Sequence, residues 1–479
     1  MSKGFNFASY VLAAGRDRPD HPALIVPGGD VCWSHGDLLA RVERRAGALR
    51  RLDLPAGARV ILRLADTPDF PITYLACAAA GLVPVATSAQ LTRAEITPMV
   101  AQLDPALAVV DPSVAPPDGV RQVEPGDLNG EPLAYDDWML GDAERLGYIV
   151  FTSGSGGRPR AVAHAHRAVR ARQMMWKDWY DLRTDDRVMH AGAFNWTYTL
   201  GTGLLDPWSR GATALIPPHG TDAAALPALI AGAHATIFAA APGVYRRILR
   251  APMPAMPALR HGLSAGESLP TAIRNDWRAK TGTDLHEALG MSECSTFISG
   301  SPDRPAPDGF AGYPQTGRRI RVLDGALQIS TSDPGLMLGY WEGDGPSPVA
   351  GDWFDTGDSV EQAADGAIRY LGRRDDILNP GGYRVSPLEI EAACQGLPVE
   401  DIAVGQVTLP SGATVLAAYY VGAPLDEAAA TAHLATRLAR YKQPRLWLRR
   451  DRLPRNANGK LIRSKLAETA EAGQPPDAS

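Results

Sequence analysis

Between residues 34 and 110, short apolar runs alternate with helix-start signals, and this alternation limits the fold more than any other feature of the chain. Ser34-x-x-Asp37 and Thr92-x-x-Glu95 each open a helical segment. The second pair reads as a capping box, in which hydroxyl and carboxylate each satisfy a backbone N–H at the helix start. Val60–Leu64 and Leu107–Val110 are apolar runs of strand length. Strands alternating with helices pack as layers on a largely parallel sheet. The Pro-, Gly- and Asp-rich stretch Asp111–Asp137 interrupts the pattern and reads as a long surface connection. A strand, Gly147–Phe151, follows, and further alternation runs to about Gly300. Arg318–Tyr370 turns strand-like, with many Gly, Asp and Pro. From Asp375 onward the chain reads as a small α+β domain. The fold class expected is therefore α/β, with a second, smaller α+β domain.

At 479 residues the chain is too long for one ordinary core. Its net charge of -5 gives no reason to expect nucleic acid or an anionic membrane as a partner. Cys32, Cys77, Cys294 and Cys394 are scattered, with no CxxC, so neither a disulfide framework nor a zinc site is indicated. A reducing, cytoplasmic setting fits. The N-terminus has no signal-peptide pattern. The alanine-rich stretch running from Ala223 to Arg246 carries Pro227, His234 and Pro242. It reads as a buried helix followed by a strand rather than a membrane span.

Six segments carry chemistry. Phe151-Thr-Ser-Gly-Ser-Gly-Gly-Arg-Pro-Arg160 is a strand end followed by a loop of small residues, suited to close approach of backbone N–H groups to phosphate oxygens. The others are Ser264-Ala-Gly-Glu267, Ala288-Leu-Gly-Met-Ser-Glu293, Trp353-Phe-Asp-Thr-Gly-Asp358, the run Gly372–Glu391, and Leu453-Pro-Arg-Asn-Ala-Asn-Gly-Lys460. Each alone could be a turn. Together and in this order they resemble the adenylate-forming superfamily, on its AMP-forming acyl-CoA synthetase branch. Ala80-Gly-Leu-Val-Pro-Val85, Gly339-Tyr-Trp341 and Tyr441-Lys-Gln-Pro444 support the likeness, which runs from about Ser34 to Leu466.

The resemblance implies a large N-terminal domain of several subdomains (1–372), a small mobile C-terminal domain (376–466) and a hinge at Asp375. Residues 467–479 are expected to form a disordered tail. It implies that Thr152, Ser153, Gly154, Ser155, Gly156, Gly157 and Arg160 wrap the phosphates of ATP. Ala265, Gly266, Glu267 and Leu289 would wall the adenine, and Asp358 and Arg373 would hold the ribose. Ser292 stands where the family has threonine, and Glu293 would bind Mg2+. Lys460 would reach the acyl carboxylate and the α-phosphate. Gly381, Gly382, Tyr383 and Arg384 would serve the later thioester step with CoA. Lysine at 460 carries weight of its own. Only 6 of the 48 Lys and Arg residues are lysine, so arginine would stand there if any cation served. A compact ammonium can bridge two anions where a guanidinium fork would not fit.

The likeness departs at Gly156, where threonine is usual, and at Arg160, where lysine is usual. A weakened, nucleotide-binding relative is one alternative reading. An acyl-AMP enzyme that loads a separate carrier protein is another. The acyl pocket implied is built from Trp196, Tyr198, Phe238, Gly290 and Met291. Phe194–Leu205 contains no Asp or Glu, which argues against an amino acid substrate. Gly290 stands where acetate-specific relatives carry tryptophan, so an aromatic, cyclic or medium-chain acid is expected. Oligomeric state is left open.

Overall fold

The computed structural model describes residues 4–152, 159–376, 378, 385–409, 414–455 and 461–467. They pack as two compact units. One comprises Met1–Ile320 with Ile329–Phe354, the other Arg321–Gln328 with Asp355–Ser479.

The first unit is built on two large sheets. One runs in the order Tyr313–Pro314, Ser295–Ser299, Asp284–Met291, His261–Ala265, Ile237–Ala240, Arg187–Ala191, Thr213–Leu215, Pro22–Ile25, Cys32–Ser34. Its middle strands, from Asp284–Met291 to Pro22–Ile25, are all parallel, with antiparallel strands at both edges. The second sheet runs Gly345–Pro348, Gly339–Glu342, Arg160–Ala165, Leu146–Thr152, Val83–Ala86, Arg59–Arg63, Leu107–Val110, Gln122–Val123. The expected alternation thus appears as crossover-connected parallel strands, covered on both faces and therefore nearly all apolar. Val83–Ala86, Leu107–Val110 and Ile237–Ala240 are buried at every position.

The helix signals were legible. Ser34 and Asp37 form a capping box at the helix His35–Arg50, and Thr92 and Glu95 form one at Arg93–Ala101. Helix Asp69–Ala79 is buried from Phe70 to Ala79, which accounts for its apolar character on every side. The alanine-rich stretch folds as the helix Leu226–Gly232 and the buried strand Ile237–Ala240, as its sequence suggested. No helix among the described residues is long and apolar enough to cross a membrane.

Ile320–Leu323, Ala326–Ser330, Trp353–Gln362 and Ile368–Arg373 form a four-stranded sheet, most of whose residues belong to the second unit. The C-terminal part has the three strands Asp401–Thr408, Thr414–Val421 and Leu446–Arg449. Helices Pro387–Ala393 and Glu427–Ala435 close its core through Ile390, Ala430 and Leu434. This is the small α+β body read from the sequence. The contact-defined unit also takes in the sheet that precedes residue 375.

Candidate active site

Parallel strands place their following loops at one edge, and ligands of open α/β sheets bind outside the carboxyl ends of the strands. Here Ala191 pairs with Ala240, Ala240 with Ser264, and Ala265 with Ala288. The segments beginning at Gly192, Gly266 and Ser292 therefore emerge side by side. Trp196, Glu267, Leu289, Gly290, Met291 and Ser292 are partly exposed along this edge, against the buried strands behind them.

Gly266 has φ of +99°, and a Cβ built there would lie 2.5 Å from the Trp196 ring. The glycine lets the indole rest on the backbone of the expected adenine wall. Trp196 packs edge-on against Tyr198, with ring centroids 5.1 Å apart. Tyr198 is itself buried. Its hydroxyl donates to the Leu263 carbonyl at 3.0 Å, so it anchors the segment to the neighbouring strand. Phe194 is tied from elsewhere: its N–H donates to the Asp66 carboxylate at 2.7 Å. The segment contains no acidic residue of its own, yet folding brings one to it from 128 positions away. Sequence reading missed Asp66 for that reason.

Phe238 is a correction. It was expected in the acyl pocket, but it lies on the opposite face of its strand from Ile237 and Ala239, which pack with Tyr198. It is wholly buried between Tyr245 and Trp277, so it belongs to the helix-facing core. A strand alternates its faces with period two, and a one-residue choice decides which side a ring occupies. Gly290 also has a reason within the fold. A Cβ there would come within 2.6 Å of the Ser295 carbonyl oxygen and 2.7 Å of Thr296 Cα. The close return of strand Ser295–Ser299, with its register shift at Leu289/Gly290, is what requires glycine.

Glu293 sits buried just beyond Met291. The Tyr340 hydroxyl donates to its Oε1 at 2.7 Å, and its backbone carbonyl accepts from Met337 N. The Arg160 guanidinium lies over the Tyr340 ring, 3.2 Å from the centroid. Two residues that the sequence reading assigned to different jobs are thus joined through one tyrosine. A planar guanidinium stacks on an aromatic face better than an ammonium does, which gives Arg160 a reason to stand where lysine is usual. Strand pairing of Thr152 with Arg160 fixes the two ends of the expected phosphate loop. Ser153, Gly154, Ser155, Gly156 and Gly157 lie outside the described residues.

The Ser292 carbonyl accepts from His164 Nε2 at 2.8 Å. Burial lowers the His164 pKa to about 4, so the ring is neutral and carries its proton on Nε2. It also stacks on Tyr148, with centroids 4.7 Å apart. Cys294 is buried, and its thiol is pushed up to about 12 by burial. That suits a packing role and not nucleophilic work.

In the second unit, Asp358 and Arg373 are direct partners across neighbouring strands, and Arg373 Nη1 donates to Asp358 Oδ1 at 3.3 Å. The expected ribose pair is therefore a preformed pair. Arg374, Asp375 and Asp376 form a short 3-10 turn directly after it. Gly381, Gly382, Tyr383, Arg384 and Lys460 lie outside the described residues. Glu391, which closes the fifth motif, is gripped in two-pronged fashion by Arg463 at 2.6 and 2.8 Å.

The model of the AMP-binding enzyme family matches residues 12–341, so the chain belongs to that family. Within the adenylate-forming superfamily, it falls on the acyl-CoA synthetase branch. It is 28% identical over 502 residues to the 3-hydroxybenzoate–CoA ligase of Aromatoleum sp. (strain CIB), covering 95% of this chain and 94% of that one. It is 29% identical over 488 residues to the 3-hydroxybenzoate–CoA/4-hydroxybenzoate–CoA ligase of Thauera aromatica, covering 92% of each. Among solved structures, a benzoate CoA ligase from Burkholderia xenovorans LB400 superposes with a TM-score of 0.83 at 26% identity. That superposition covers 96% of this chain and 99% of the other.

Proposed function

We propose that this enzyme uses ATP to convert an aromatic carboxylic acid to its acyl-AMP and then passes the acyl group to CoA, releasing AMP and pyrophosphate. The observation that carries this reading is Glu293, a buried carboxylate held through Oε1 by Tyr340, beside the half-exposed edge formed by Trp196, Gly266 and Ser292. The named relatives act on hydroxybenzoates and benzoate, which supports an aromatic acid here.

In this reading Trp196, Gly266 and Leu289 flank the adenine and the acyl group, and Asp358 with Arg373 takes the ribose. Thr152 and Arg160 anchor the phosphate loop. Glu293 has one oxygen occupied by Tyr340 and a second available. That suits Mg2+, which accepts one or two carboxylates and completes its shell with water and phosphate oxygens. When bound, the ion neutralises charge on the departing pyrophosphate. Lys460 holds the carboxylate and the α-phosphate in line, where two anions would otherwise repel. Asp375 is the hinge about which residues 376–466 turn, bringing Gly381, Gly382, Tyr383 and Arg384 to the thiol step.

Pyrophosphate exchange with a panel of aromatic, cyclic, medium-chain and short acids tests adenylation. Release of AMP on addition of free CoA tests the acceptor. Exchange without CoA-dependent turnover would point to a carrier protein instead, and no exchange with any acid would refute the reading. Lys460→Ala is expected to remove most adenylation while sparing thioester formation from supplied acyl-AMP. Equal loss of both would contradict its role.

A further inference from the structure

A small cavity in the first unit is lined by residues of both its large sheets. Its polar lining comes from Tyr74, Tyr148, Arg172, Thr197, Ser292 and Ser295. Thr197 belongs to the acyl segment and Ser292 to the motif beside Glu293. Two of its lining residues therefore come from segments of the site, while none of Tyr74, Tyr148 or Arg172 belongs to any motif read from the chain.

Arg172 is buried, only 5% exposed. A guanidinium has five N–H groups to satisfy. Nε donates to Asp206 Oδ1 at 2.9 Å, and Nη2 donates to Asp206 Oδ2 at 2.6 Å and reaches the hydroxyls of Tyr180 and Thr202. Nη1 donates to the Ser295 hydroxyl. One Nη1 hydrogen then has no acceptor among the described residues. The phenols of Tyr74 and Tyr148 and the hydroxyls of Thr197 and Ser292 likewise make no hydrogen bond to a described residue, and although both tyrosines are buried residues, none of these four oxygens is wholly shielded. Polar groups that converge on one cavity without a protein partner are open to a ligand or to water. Ser295 adds a separate sign. It holds φ at +61°, a backbone region non-glycine residues rarely occupy, and such strain concentrates at ligand sites.

We propose that this cavity is the subsite for a hydroxyl substituent on the aromatic ring of the acid, and that Arg172, Tyr148 and Tyr74 select for it. The proposal rests on the adenylation reading above and sharpens its substrate. The chemistry singles out hydroxyl. Asp206 already cancels the charge of Arg172, so a second carboxylate on the ring would be an unpaired buried anion. A ring amine is a poor acceptor and leaves the Arg172 N–H unmet. A hydroxyl accepts from Nη1 and donates to a phenol or serine oxygen. An acid without a substituent leaves the whole cluster unsatisfied, and sites built to bind a hydroxyl discriminate strongly against analogues lacking it.

The test is kcat/KM for pyrophosphate release by the full-length protein with benzoate and the isomers of hydroxybenzoate and aminobenzoate. One hydroxybenzoate is expected to exceed benzoate at least tenfold and to exceed the matching aminobenzoate. Tyr148→Phe and Tyr74→Phe each remove one hydroxyl and keep the ring. Each is expected to lower the hydroxybenzoate-to-benzoate ratio by about tenfold. The proposal is overturned if benzoate serves the native protein as well as any hydroxybenzoate. It is also overturned if the variants lower both acids equally, which would mark a structural or merely solvent-filled cavity. Silence with every acid would instead overturn adenylation itself, so the two failures are distinct.

Discussion

Gly290→Ala separates two reasons for a glycine at that position. One is room for the substrate; the other is room for the backbone. The added Cβ would meet the Ser295 carbonyl oxygen at 2.6 Å, Thr296 Cα at 2.7 Å and Thr296 Cγ2 at 2.8 Å. Two of these three atoms are main chain and cannot swing away as a flexible side-chain tip would. Overpacking a close-packed region costs about 1–3 kcal/mol, and backbone clashes belong at the upper end. A loss of about 2–3 kcal/mol in a unit of this size corresponds to a fall of roughly 3–4 °C in the first melting transition. The strain would open the hairpin that carries Ser292 and Glu293, so adenylation should fall for every acid together. Calorimetry and pyrophosphate exchange on the same preparation measure both effects. A variant that melts like the native protein but loses only the larger acids would refute the packing argument. It would mean that the Cβ points into the acyl pocket.

Tyr340→Phe removes the hydroxyl that holds Glu293 and leaves the ring under Arg160. A hydrogen bond to a charged group is worth about 1.5–3 kcal/mol, and groups that orient a metal-binding carboxylate affect affinity 10–100-fold. The Mg2+ concentration giving half-maximal exchange is therefore expected to rise at least tenfold, and an unchanged value would disconnect Tyr340 from the metal. Asp206→Ala strands the buried Arg172 guanidinium and is expected to cost about 3–5 kcal/mol in urea unfolding; adding Arg172→Met should recover much of that loss, and a double variant no better than the single one would count against it. Burial lowers the pKa of His164 and His286 to about 4 and of His166, His190 and His261 to about 3. Below the ordinary histidine value near 6.5 the unfolded chain takes up protons that the folded one refuses. Stability is then complete above that value and is lost as pH falls towards 4, with a limiting slope for five groups of about 7 kcal/mol per pH unit. Tryptophan fluorescence followed from pH 7.5 to 4.5 should detect unfolding near pH 5, whereas flat stability across that range would contradict the burial argument.

What was legible in the sequence was what depends on neighbours in the chain. The capping boxes at Ser34 and Thr92 are three-residue affairs, and the apolar strands Val83–Ala86 and Leu107–Val110 announce their own burial. The order of six motifs was enough to single out Glu293, Asp358 and Arg373 as candidates. What was not legible depends on residues far apart. Asp66 reaches Phe194 over 128 positions, and Arg172 meets Ser295 over 123. Neither could be paired from spacing. Phe238 failed for a different reason: a strand buried on both faces has no polar alternation to reveal which side each ring takes.

Arginine usage links the visible and the hidden parts of the site. With 42 of 48 basic residues arginine, the chain has turned positions that need only positive charge into positions where a planar group can also stack or fork. Arg160 stacks on Tyr340 and so reaches Glu293 indirectly, a contact a lysine would make poorly. Arg172 forks across Asp206 and still has a donor to spare, which a lysine with three donors on a flexible stem would not hold in a fixed direction. Arg463 forks across Glu391. Against that background the lysine at 460 stands out as a place where neither stacking nor forking is wanted. The same reasoning gives a sharp contrast: Arg160→Lys should cost affinity for ATP through the lost stack, while Lys460→Arg should cost the adenylation step itself with ATP binding largely kept. If the two conservative exchanges produced the same kinetic signature, geometry would not be what decides between the two cations.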